Sequence, residues 1–102
     1  MILIYVSFES REDAEKAANH LIDTHLAACV ELYPVTNFYY WEGKKVKGAE
    51  FSGIIKTDDG YFERVKQALE KILPYDIPQI IEVKVTNVNE SYLKWVREST
   101  SK

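Results

Sequence analysis

Ile2-Leu3-Ile4-Tyr5-Val6-Ser7-Phe8-Glu9-Ser10-Arg11-Glu12-Asp13-Ala14 opens the chain, and the change of pattern inside it decides the fold. Ile2–Phe8 is almost wholly apolar, which suits a central strand buried on both faces. Ser10 then reads as a helix N-cap, with Glu12, Asp13 and Glu15 near the positive end of the helix dipole. Ala14, Ala17, Ala18, Leu21 and Ile22 follow at helical spacing. They form a narrow apolar stripe whose alanines let the helix approach a sheet closely.

Further along, Leu26–Leu32 reads as a second strand that Pro34 closes, and Asn37–Trp41 is β-prone and aromatic. Glu42-Gly43-Lys44 is a turn, and Phe51–Thr57 is the returning strand. Asp58 or Asp59 is placed to cap a second helix with the stripe Phe62, Val65, Leu69 and Ile72. Pro74 and Pro78 bracket a stiff connection. Gln79–Thr86 alternates, with Ile81, Val83 and Val85 on one side. Asn89 caps a short last helix, and Val88 and Leu93 are spaced for a hydrophobic staple. The first six elements make a split βαβ pattern: an α+β, ferredoxin-like βαββαβ sandwich with an antiparallel sheet and an extra C-terminal helix. Residues 1–102 show no linker, repeat or low-complexity segment, so a single domain is expected.

Composition narrows the function. The 102 residues are 46% hydrophobic and 28% charged, with a net charge of −3. No apolar run reaches the roughly 18 residues of a membrane helix. The apolar start has no basic segment before it and no small-residue cleavage site, so it reads as a strand and not as a signal peptide. The only basic cluster is Lys44, Lys45 and Lys47, which argues against nucleic acid as a partner. Cys29 stands alone, so no internal disulfide forms and a cytoplasmic location is expected.

Phe38-Tyr39-Tyr40-Trp41 places two aromatics on each face of a strand. One pair can pack on the core, and the other needs cover from a second subunit or a ligand. Cys29 reads either as a small core residue or as a reactive thiol, and it is the one weak metal candidate. A soft-metal site needs further thiolate or imidazole ligands, and the only histidines, His20 and His25, lie in or just after the first helix. Lys56 is either a snorkelling side chain or a cation in a cleft near Glu50 or Tyr75. Tyr75 is either a packing anchor or a site residue on the proline-bracketed connection. No phosphate loop, Ser/His/Asp set or informative carboxylate pair is present, and no enzymatic activity is expected.

Several blocks then become recognisable in order: Leu26-Ala27-Ala28-Cys29-Val30, Phe38-Tyr39-Tyr40-Trp41-Glu42-Gly43-Lys44, Glu50 with Ile54-Ile55-Lys56-Thr57, Pro74-Tyr75-Asp76-Ile77-Pro78, and Asn89 with Tyr92-Leu93-Lys94-Trp95. Nearly end to end, the chain resembles the CutA family. The resemblance implies a ferredoxin-like protomer in a tight homotrimer, similar in architecture to PII signalling proteins. It further implies a cytosolic role in tolerance of divalent metals such as copper, with no established catalysis. Some bacterial members carry a Cys in the first strand and a His-His pair before Pro-Tyr, taken as copper ligands. Val6, Ile72 and Leu73 stand there in this chain. Cys29, Trp41, Glu50, Lys56 and Tyr75 match the family and are implied to lie around an inter-subunit cleft. That cleft is expected to hold either a metal ion, weakly, or a small anionic metabolite.

Overall fold

The computed structural model describes residues 1–101. Its elements run β1 Ile2–Phe8, α1 Arg11–Asp23, β2 Cys29–Trp41, β3 Lys44–Thr57, α2 Phe62–Ile72, β4 Ile80–Lys84 and α3 Glu90–Thr100. The strands form one antiparallel sheet in the order β2-β3-β1-β4. This is the ferredoxin-like arrangement, with α3 added at the end.

β1 has the expected bounds but not the expected burial. Ile2, Ile4, Val6 and Phe8 are buried, while Leu3, Tyr5 and Ser7 are half-buried. The difference follows from layering. Ile2, Ile4, Val6, Phe8 and Ile55 pack against Ala14, Ala17 and Leu21 of α1 and Val65 and Leu69 of α2, so one face of the sheet carries the core. The other face is left largely open, because α1 and α2 take the same side, and α3 meets it only at the Lys56 end through Tyr92. At the head of α1, Ser10 caps as its sequence predicts: the Asp13 amide donates to its Oγ at 3.1 Å.

Pro34 does not end β2. The register runs unbroken through Pro34↔Phe51 from Cys29↔Lys56 to Trp41↔Lys44. β2 is an edge strand, and an edge has one row of nitrogens with no ladder partner, so proline fits there. Leu26, Ala27 and Ala28 precede the strand, and the expected aromatic segment is its far half. The loop Glu42-Gly43 has positive φ at both positions, 51° and 77°, the geometry of a tight type I′ hairpin.

Length mismatch shapes the molecule. β1 pairs with β3 only from Phe51 to Thr57. The other half of β3, Lys44–Glu50, pairs with β2 alone. A two-stranded arm therefore projects about 20 Å past the sheet at 3.4 Å per residue, and the molecule is 45 Å along its longest axis. Neither aromatic pair on the arm meets the core, contrary to the expectation that one would. Phe38, Tyr39, Tyr40 and Trp41 are all exposed, Tyr40 at 76%.

Three smaller expectations are also revised. Neither Asp58 nor Asp59 caps α2; the N-cap position is Tyr61, without a side-chain cap. Asp58 instead accepts from its neighbour's amide and from Arg97, and Asp59 pairs with the α-amino group of Met1 at 3.3 Å. Asn89 holds the α3 N-cap position but donates to Ser91 Oγ and does not accept from the helix. β4 is shorter than Gln79–Thr86, and its Ile81 and Val83 lie on the open face while Ile80 packs on the core. α3 is secured by buried Val96 and by the Tyr61 hydroxyl, which donates to the Thr100 carbonyl at 2.7 Å.

Candidate functional site

β1 stops at Phe8 while β3 continues into the arm, which leaves a notch. The chain from Tyr75 to Gln79 forms the opposite wall. The result is a cleft of about 820 Å³, within the size range of small-molecule sites. Phe38, Tyr39 and Trp41 supply an aromatic wall, and Glu9, Glu50 and Asp76 supply carboxylates. Among the described residues no basic side chain lines it.

Tyr75 anchors the far wall. The Glu9 amide donates to its hydroxyl at 2.8 Å, and that hydroxyl donates to Asp13 Oδ2 at 2.5 Å. Burial pushes the Tyr75 hydroxyl well above the usual tyrosine range, donation to the Asp13 carboxylate pushes it further, and the Glu9 amide opposes both. Tyr75 therefore stays protonated and ties the loop to the β1–α1 junction.

On the near wall, Asn37 Nδ2 donates to Glu50 Oε2 at 3.1 Å. Among the described residues its buried Oδ1 has no hydrogen-bond partner, and it lies over Gly48, where a Cβ would come within 2.5 Å of it. Gly48→Ala is accordingly expected to displace the Asn37 amide and break its bond to Glu50, at a cost of about 1 kcal/mol. Chemical denaturation at fixed protein concentration checks this. A rise in stability would show that the orphaned oxygen dominates instead.

Cys29 and Lys56 lie elsewhere. They face each other across β2 and β3 at the opposite end of the open face. Lys56 is six residues from Glu50, or about 20 Å along an extended strand. Its ammonium pairs with Glu31 Oε1 at 3.2 Å and sits 5.5 Å from the Tyr92 ring. Burial lowers its proton affinity, but hydrogen bonds to Glu31 and Tyr92 outweigh that and leave it raised. Within one chain, then, Trp41, Glu50 and Tyr75 share the cleft, and Cys29 and Lys56 form a separate locus. Asn37, Glu9 and Asp76 were not singled out from sequence. Their signal is topological, since it depends on where β1 ends relative to β3.

The residues present do not fit a resident metal within one chain. No group of three or more His, Cys, Asp or Glu converges among the described residues. Val6 and Leu73 are buried apolar side chains, and His20 and His25 are exposed.

A family model described as CutA1 divalent ion tolerance protein matches residues 2–99. The chain belongs to the CutA1 family. The divalent-cation tolerance protein CutA of Pyrococcus horikoshii is 41% identical over 102 residues, covering all of both chains. The crystal structure of CutA1 from that organism superposes with a TM-score of 0.95 at 40% identity over all of both chains. A CutA from Archaeoglobus fulgidus, described as periplasmic, gives a TM-score of 0.94 at 33% identity, covering 98% of this chain and 99% of that one. A Nostoc protein described as PII-like CutA gives 0.91 at 30% identity, covering 98% and 97%. The CutA1 family is described by divalent-ion tolerance, which names no reaction. Among the described residues, no helix is long and apolar enough to cross a membrane.

Proposed function

We propose that this chain is a non-enzymatic, cytoplasmic homotrimer that serves tolerance of divalent ions, copper in particular, and acts as one unit over residues 1–102. The observation that carries the reading is the arm. Two strands alone are marginal in water, yet this pair presents four exposed aromatics at its end. Obligate interfaces bury such apolar surface, and a ring of identical head-to-tail contacts would cover every arm. The lone thiol of Cys29 supports the cytoplasm, and cell fractionation tests it. Sedimentation equilibrium is expected to report three times the chain mass at micromolar concentration. A stable monomer would overturn the assembly.

For metal, the purified protein is expected to retain well under one copper per chain after dialysis against a chelator. Cu²⁺ favours imidazole and Cu⁺ favours thiolate; the imidazoles of His20 and His25 are exposed, and the one thiol, Cys29, is half-exposed on the open face. Metal analysis beside a calorimetric Cu²⁺ titration is the check. Stoichiometric copper that survives dialysis and vanishes in Cys29→Ser would put a true site at Cys29. Copper retained in that variant would point to a different ligand set.

A second reading is a PII-like sensor of a small anionic metabolite. It draws support from the likeness to the PII-like Nostoc protein and from the partly buried Lys56 beside Cys29. In this reading Lys56 and Cys29 hold the anion, and Trp41, Glu50 and Tyr75 form a separate functional cleft. Titration with a nucleotide panel separates the readings: binding that is lost in Lys56→Ala favours the sensor.

A further inference from the structure

The cleft gathers acceptors around an aromatic wall. Glu9, Glu50 and Asp76 reach it from three segments: the end of β1, the arm half of β3 and the connection before β4. None of them enters an ion pair among the described residues. The β1–β3 ladder ends at Phe8↔Phe51, so Glu9 and Glu50 are the next residues beyond it on the two chains, and like charges placed side by side repel. Asn37 adds an unmet acceptor. Its amide donates to Glu50, and its oxygen is buried with no hydrogen-bond partner among the described residues. Asn37, Tyr39 and Trp41 leave β2 on one face, being two residues apart. Both rings are exposed and line the cleft.

We infer that the cleft binds an aliphatic polyamine, a flexible organic cation whose ammonium groups are separated by methylene chains. The placement of the carboxylates is the first reason. They stand on separate segments, and no group of three or more His, Cys, Asp or Glu converges among the described residues. A metal ion would find too few ligands at any one point, whereas separated ammonium groups match separated carboxylates with charge-assisted hydrogen bonds. The wall is the second reason. An ammonium over Tyr39 or Trp41 gains cation–π attraction, and its methylenes cover the rings. Asn37 is the third. An ammonium that donates to Glu50 replaces the Asn37 amide there, and the freed amide can turn its oxygen to the same cation. The ligand then satisfies the oxygen that is otherwise orphaned. A cleft of about 820 Å³ accommodates such a chain. The inference rests on the second reading only in treating Trp41, Glu50 and Tyr75 as a separate functional cleft, and it gives that cleft its ligand class. It needs neither the trimer nor an anion at Lys56.

Calorimetric titration of the full chain with spermidine, at one fixed ionic strength, tests it. One spermidine per chain is expected. Butylamine, which carries a single charge, is expected to bind roughly tenfold more weakly or worse. Glu50→Gln keeps an acceptor for Asn37 and should weaken spermidine by roughly tenfold, and Glu9→Gln with Asp76→Asn should do the same. Tyr39→Leu should weaken it about threefold. Glu70→Gln removes an exposed carboxylate of α2, outside the cleft, and should leave binding unchanged. Circular dichroism and sedimentation confirm that each variant folds and assembles as the wild type does. No saturable binding up to about 1 mM spermidine would overturn the inference, since even weak specific affinity would show there. An equal loss in Glu70→Gln, or complete displacement by Mg²⁺ at the same ionic strength, would also overturn it, because the amine would then sample only the diffuse field of an acidic protein. The sensor reading fails separately. Nucleotide binding lost in Lys56→Ala, with no spermidine bound, keeps the sensor and removes the polyamine; spermidine bound without any nucleotide does the reverse.

Discussion

A chain carrying Phe38→Ser, Tyr40→Ser and Trp41→Ser is expected to sediment as a monomer at concentrations where the wild type is fully assembled. These side chains lie on the arm, beyond the end of β1, and touch none of the buried core. Their exposure is 63%, 76% and 46%, so each offers roughly 100 Å² of ring surface to a partner. At ~25 cal/mol per Å² that is about 2.5 kcal/mol per ring before the costs of association. Losing half of that total still weakens association by roughly 10²- to 10³-fold. The isolated fold should persist, because Phe8, Ile4, Leu21, Ile55 and Leu69 remain fully buried within one chain. Sedimentation velocity beside far-ultraviolet circular dichroism reads both halves of the result. A folded variant that stays assembled at one micromolar would show that the arm is not the interface.

Much of the fold was legible because it rests on local chemistry. The apolar run Ile2–Phe8, the Ser10 cap and the helical stripes each declare one element without reference to another. What failed were the places where an element's neighbour decides its state. Pro34 looks like a terminator until β2 is known to be an edge. Asp58 and Asp59 look like caps until Arg97 and the α-amino group of Met1 claim them. Ile81 and Val83 look like a core face until the register with β1 aligns them with Tyr5 and Leu3 on the open side.

The candidate site shows the same division. Trp41, Glu50 and Tyr75 stand out by residue type, and their common cleft appears only when β3 is seen to outrun β1. Lys56 and Glu50 leave one strand on the same side, since they are an even number of residues apart. Parity says nothing about which end of the strand carries the notch. Glu31 and Tyr92, which hold Lys56, come from β2 and α3. No spacing along the sequence links either of them to β3.

Tyr75→Phe is expected to destabilise the protein by about 1–3 kcal/mol at neutral pH, because it removes a hydrogen bond to a carboxylate and strips the Glu9 amide of its acceptor. The ring stays, so packing against the core is retained and the hydroxyl alone is tested. That hydroxyl joins three segments: the loop that carries it, the end of β1 through Glu9, and the first turn of α1 through Asp13. Asp13 is itself fixed, its amide donating to Ser10 Oγ. The pH dependence has a definite sign. Burial, then donation to Asp13, hold the hydroxyl above its ordinary value of 10.0. A group whose folded value is raised contributes stability that is complete below its unfolded value and is lost as pH climbs through the folded one. The gap between wild type and Tyr75→Phe should therefore be constant from neutral pH to about pH 10 and close above it. Urea denaturation at one fixed chain concentration measures the gap without interference from mass action. Equal stability at pH 7, or a gap that widens above pH 10, would show that the hydroxyl does not hold the loop. With the loop released, the far wall of the cleft moves, so the same variant should also weaken whatever the cleft receives.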